Sequence, residues 1–278
     1  MRAPVDHIAA PPFPPRLQWI NGRPEGFPML IEFWDFCRVQ SLRTLPYMRA
    51  WNERYRDLTV VGVHAAGFPP SQDADAVRDA VARLAIDHPV AIDTDFEVWE
   101  LYGNLGWPAR YLFDDRGMLL HYHYGEGSYE ETELAIQEVL GVEAPVIGPF
   151  RPEEAPDALL ETQTDDFEGP YSGPYTAGQV WAVLDGDGTV EVNGRAIAVD
   201  HPGAYELIAH DRSTSGKLSL EVGVGVTCYA VSFTPGLAGL AQPASRLTSS
   251  GGPSSPTTAA NPGRYALPPG SSPTNRAS

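Results

Sequence analysis

The sequence predicts two folded parts, an α/β domain built on a largely parallel sheet and, after it, a small all-β sandwich or jelly roll. Two observations carry this. The stretch Met29 to Tyr47, MLIEFWDFCRVQSLRTLPY, opens as an apolar run of strand formers and continues into Leu42, Leu45 and Met48 at helical spacing. Beyond a proline-rich segment at 142–158, the pattern changes to short alternating runs divided by Gly, Asp and Asn. That change marks antiparallel strands joined by tight turns.

Composition sets the bounds. The 278 residues give room for two domains of about 100 to 150 residues each, and a hydrophobic fraction of 42% supplies real cores. A net charge of −17 argues against nucleic acid and anionic membrane surfaces as partners, since both are negative themselves. Only two cysteines occur, Cys37 and Cys228, which excludes a disulfide framework and a cysteine-based zinc cluster. The opening MRAPVDHIAAPPFPPRL is broken by prolines and lacks the apolar core of a signal peptide. No run approaches the ~20 apolar residues of a membrane span, so a cytoplasmic location is the expectation.

In chain order, residues 1–16 read as a disordered lead-in and 17–142 as the first domain. Within it, LQWINGRPEG is a short strand ending in an Asn-Gly turn. LTVVGVHAA (58–66) is a strand buried on both faces. Asp73 to Ala85 carries Ala76, Val77, Ala80, Val81 and Leu84 on one stripe, an amphipathic helix. HPVAID (88–93) is a strand, and DFEVWELYG (95–103) a helix capped by Asp93, Thr94 or Asp95. Ala109 to Phe113 and Met118 to Tyr124 form a hairpin around Asp114-Asp115-Arg116-Gly117, and Tyr129 to Leu140 closes the domain as an acidic helix. A linker at 143–160, the sandwich at 161–240 and a disordered Ser/Pro/Gly/Thr-rich tail at 241–278 complete the chain.

FWDFCRVQSLRTLPY resembles the active-site segment of the DipZ-like and TlpA-like (redoxin, AhpC/TSA-type) thiol-disulfide oxidoreductases of the thioredoxin superfamily. There an FW pair, a three-residue spacer and a CxxC dithiol precede LRTLPY. Aligned without gaps, the two cysteine positions fall on Arg38 and Ser41, and Cys37 sits one residue ahead of the nucleophile position. The resemblance implies a thioredoxin-like fold over about 17–142, a helix kinked at Pro46, and a cis-proline at Trp107-Pro108 facing the site. HYGEG (123–127) resembles the family's HFGEG turn, and GVTCYAVSFTPG resembles the closing strand of the carbohydrate-binding-module-like sandwich of DipZ-like proteins.

Disulfide exchange needs a nucleophilic thiolate and a resolving thiol, and Arg38 and Ser41 are neither. The candidate chemistry is therefore a monothiol reaction, thiol-disulfide exchange or peroxide reduction, at Cys37. Its thiolate would be favoured by the helix N-terminus and by Arg38, with Pro108 beside it. The bland alternative is a small buried side chain. Phe36, Ser41 and Trp107 are candidate binding residues for a protein thiol or peptide in the groove, while Trp34 reads as core. Trp181, Tyr205 and Tyr229 are either sugar-stacking residues for a glycan or protein partner of the sandwich, or core. His121 and His123 share one strand face, and His64 ends another strand; convergence would make a metal centre, but no ligand spacing fixes one, so neither metal nor cofactor is expected. Two functions follow as expectations: a redoxin-type protein with residual chemistry at Cys37, or a noncatalytic binding module on a thioredoxin scaffold.

Overall fold

The computed structural model describes residues 8–239; the expected tail at 241–278 and residues 1–7 of the expected lead-in lie outside them. In chain order the first elements are β1 (Gln18–Ile20), β2 (Met29–Trp34), α1 (Val39–Arg54), β3 (Thr59–His64), α2 (Ala74–Arg83), β4 (Val90–Ile92) and α3 (Glu97–Leu101). Then come β5 (Ala109–Phe113), β6 (Leu119–Tyr124) and α4 (Tyr129–Leu140). Six strands form one sheet in the order β1-β4-β3-β2-β5-β6. The pairs β2–β3 and β3–β4 are parallel, and the others are antiparallel. This is the thioredoxin-like arrangement, with β2 central and α1 leaving its C-terminal end.

Strand alternation explains why β2 is buried throughout. Ile31 and Phe33 join the cluster that contains Val98 of α3. On the other face, Leu30 packs with Tyr47, Met48 and Trp51 of α1 and Ile136 of α4, and Trp34 packs with Val77, Ala80 and Val81 of α2. Helix α2 starts where the sequence predicts, Asp73 accepting from the Asp75 amide. Helix α3 is shorter than expected: the Asp93 carboxylate accepts from the Val98 and Trp99 amides, and Phe96 takes φ 59° just before the first turn.

Residues 8–16 differ from the expected disordered lead-in. The Ile8 carbonyl accepts from Leu119, the Ala10 amide donates to Gly117, and Phe13 stands edge-on to Trp19 at 5.0 Å. Prolines remove amide donors without preventing a segment from pairing along a strand edge. The segment 143–160 is also tied down. The Ile147 amide donates to Glu133 at 2.8 Å, and Phe150 packs edge-on to Tyr47 at 4.8 Å, just before a 3₁₀ turn at Pro152–Glu154.

The second part holds β7 (Leu160–Glu161), β8 (Phe167–Glu168), β9 (Gly173–Gly186), β10 (Gly188–Val192), β11 (Arg195–Val199) and β12 (Gly203–Leu218). It ends with β13 (Leu220–Val222), β14 (Val226–Thr234) and β15 (Gly236–Leu237). A four-stranded antiparallel sheet, β12-β9-β14-β8, faces a three-stranded one, β11-β10-β13, across a core of Val180, Leu184, Val190, Leu207, Val231 and Phe233. The run AYELIAHD continues as one strand, β12, through Lys217 and Leu218, with shifts in pairing between Glu206 and Ile208 and between Ala209 and Thr214, while the LEV of KLSLEVG forms β13. Such bulges bend a strand without ending it.

Candidate functional site

The site lies at the exit of β2. There Asp35 organises the connection to α1: its carboxylate accepts the Cys37 amide at 2.8 Å and the Gly67 amide at 2.7 Å. The Asp35 amide donates to Ser41 Oγ at 3.2 Å, and the His64 Nε2 lies 3.6 Å from Asp35 Oδ1. Helix α1 begins at Val39, with Arg38 as a capping residue that supplies no side-chain bond. Cys37 therefore precedes the helix, and its own amide is spent on Asp35.

Cys37 is 1% exposed. It packs with Trp34 and Phe36 and, from the second part of the chain, Val183 and Ala230. Burial pushes the thiol well above its ordinary range, and the Asp35 carboxylate pushes it further, while the Ser71 hydroxyl and Arg38 only partly oppose this. The expected lowering by a helix N-terminus and Arg38 is reversed, because desolvation and a neighbouring carboxylate both disfavour the thiolate.

Arg38 points away from the sulfur's service. Its guanidinium carbon lies 4.3 Å from the centre of the Trp107 ring and 5.1 Å from that of Phe68. Gly67 makes this possible, since a Cβ there would run into the guanidinium. Trp107 in turn donates from Nε1 to the Ala65 carbonyl at 2.8 Å and packs on Trp99 at 4.3 Å. The Trp107–Pro108 bond is cis, as the family resemblance implies.

Of the expected binding residues, Phe36 and Ser41 are corrected. Both are buried, Phe36 stacked on His64 at 5.2 Å and Ser41 serving the Asp35 amide. Only Trp107 keeps a partly exposed face. Beside Cys37 and Arg38 lies a pocket of about 290 Å³ whose other wall comes from Asp166, Phe167 and Ser232. The sandwich thus faces the exit of β2, and the Ala204 amide reaches the Phe36 carbonyl at 3.4 Å.

Elsewhere the candidates separate. Cys228 belongs to the sandwich core, away from Cys37's cluster, and both cysteines are free. His64 on β3 and the His121/His123 pair on β6 have two strands, β2 and β5, between them, so the three imidazoles do not converge. Tyr229 packs into the cluster shared with Cys37, and Tyr205 stacks on His201 at 4.9 Å.

Sequence reasoning missed Asp35, Glu32 and Arg43. Glu32 is wholly buried opposite Arg110 in the β2–β5 register, and burial pushes its carboxyl up to about 8. Arg43 spends all three nitrogens: Nε on Glu126 at 2.6 Å, Nη1 on Gln179 at 2.8 Å and Nη2 on Glu153 at 3.0 Å. The signal was there in part, since acids interrupt the apolar run at Glu32 and Asp35 without joining a solvated face.

No family model matches the chain. Protein DipZ of Mycobacterium bovis is 30% identical over 194 residues, covering 64% of this chain and 28% of DipZ, so the chain spans well under half of that relative. Thiol-disulfide oxidoreductase YkuV of Bacillus subtilis is 28% identical over 129 residues, covering 44% of this chain and 87% of YkuV. Among solved structures, a thiol-disulfide isomerase from Corynebacterium glutamicum aligns with a TM-score of 0.43 and 18% identity over 48% of this chain and 98% of its own. These sequence relatives and the strand order around β2 mark the chain as thioredoxin-like.

Proposed function

We propose that this chain is a thioredoxin-like protein that performs no dithiol exchange and works as a binding scaffold, its ancestral reaction face given over to packing against its own sandwich. The observation that carries this is the state of the one cysteine near the site. Cys37 is buried, held neutral by desolvation and by Asp35, and has no second sulfur in its cluster. Exchange needs a thiolate to attack and a second thiol to release the mixed disulfide, and Arg38 and Ser41 supply neither.

The pocket of about 290 Å³ beside Cys37 favours one second reading, a monothiol reaction with a small peroxide. The sulfur would take the distal oxygen, and the O–O bond would break to release an alcohol or water. Two external thiols would return the sulfenic acid to the thiol, the first forming a mixed disulfide with loss of water and the second displacing it as their own disulfide.

One experiment separates the two: alkylation of the native protein across pH, read by mass spectrometry, with denatured protein as reference. The scaffold reading expects Cys37 to stay unmodified well above pH ~8.5, where a free thiol ionises. Modification of native Cys37 near neutral pH would overturn it and support the monothiol reaction.

A further inference from the structure

A second cavity lies away from Cys37. It holds about 620 Å³ between α1, the start of α4, the 143–160 segment and β7. Its walls are apolar and aromatic: Tyr47 and Tyr129 stack at 3.6 Å, and Ile147, Pro156 and Leu160 face them. Its polar lining is dominated by five carboxylates, Glu126, Glu130, Glu131, Glu153 and Glu154.

The charges do not cancel. Arg43 serves Glu126 and Glu153, and Arg151 serves Glu154. That leaves five carboxylates against two guanidinium groups, with Glu130 and Glu131 exposed in the first turn of α4. An anionic occupant is disfavoured by this balance, and a neutral apolar one would leave the acidic rim unused. The apolar surface also continues past the cavity mouth: Leu159 is 77% exposed, Phe150 49% and Leu160 47%. A free amine would leave that margin bare, whereas a polypeptide would cover it.

We infer that this groove is a docking site for a basic segment of a partner protein, which lays a lysine or arginine stem along Tyr47, Tyr129 and Leu160 and sets its cationic head among the glutamates. The site is independent of Cys37, so it stands whether or not the thiol reacts.

The test is fluorescence anisotropy of the full chain with a labelled peptide alternating Lys or Arg with Leu. The same peptide with Glu in place of the basic residues serves as control, and agmatine as competitor. Saturable binding is expected for the basic peptide only. It weakens by about tenfold in the double variant Glu130→Lys/Glu131→Lys and in Leu160→Ser, falls with added salt, and is unchanged in Cys37→Ser. Circular dichroism verifies that the variants are folded, and Leu160→Ser leaves the helix start untouched should the charge reversals disturb it. Equal binding of the acidic peptide, or unchanged affinity in both variants, overturns the proposal. Full displacement by agmatine at the concentration of peptide used overturns the polypeptide as occupant in favour of a free amine.

Discussion

Arg38 lies over the indole of Trp107, its guanidinium carbon 4.3 Å from the ring centre, so the residue just before α1 is stacked on the residue preceding the cis-proline. A cation held on an aromatic face is stabilised by the ring's quadrupole, and here Phe68 contributes a second ring. Arg38 and Phe68 both line the pocket beside Cys37.

Replacing Arg38 by Ala should therefore cost about 1 to 2 kcal/mol of stability, measured by urea unfolding. It should also change the fluorescence of Trp107 and speed alkylation of Cys37. An Arg38→Ala variant with an unaltered alkylation rate would show that the sandwich, and not Arg38, is what shields the sulfur.

Glu32 gives a pH signature. Its folded-state carboxyl, pushed up to about 8 by burial, holds its proton more tightly than the same group in the unfolded chain, near 4.3. Its contribution to stability is thus fully present below the unfolded value and is lost as pH rises through the folded one, at up to about 1.4 kcal/mol per pH unit. Thermal unfolding of Glu32→Gln should lack that part of the decline between pH ~5 and ~8. Matching slopes in the two proteins would refute the assignment.

Arg43 is 5% exposed and its three nitrogens bind the 123–127 turn, the 3₁₀ turn and β9 of the sandwich. Arg43→Met leaves Glu126 and Glu153 in place without their main partner, and the expected loss is about 3 to 5 kcal/mol. Arg43→Lys should recover only a fraction, because a single ammonium cannot reproduce a three-way fork. Denaturant midpoints of the three proteins give the ranking.

At Gly62 a Cβ would stand 2.9 Å from Trp34 Nε1. Both partners sit in adjacent central strands with no room to retreat, so Gly62→Ala should destabilise the protein by about 1 to 3 kcal/mol. A neutral result in calorimetry would mean that the indole can rotate within its cluster.

Much of the first domain was legible in the sequence because its signals are local. The apolar run at Met29–Trp34, broken only by Glu32, the Asp114–Gly117 turn and the helix at Tyr129–Leu140 each declare themselves within one element. The surroundings of Cys37 were not legible, because the residues that bury it, Val183 and Ala230, come from the far part of the chain. Alternation in β9 and β14 marks which residues point to one side, but not whether that side meets the sandwich core or another domain. The 143–160 segment misled for a related reason. Its prolines signal an absence of regular structure, which is correct for most of it, yet Ile147 and Phe150 still find partners on Glu133 and Tyr47.

The cluster that joins Trp34, Phe36 and Cys37 to Val183 and Ala230 also sets an order of events at the ribosome. Synthesis delivers the N-terminal part first. The surface around Phe36 and Cys37 then waits, uncovered, until β9 and finally β14 have emerged. During that interval the nascent chain presents around Phe36 and Cys37 an apolar patch that the finished protein covers with Val183 and Ala230.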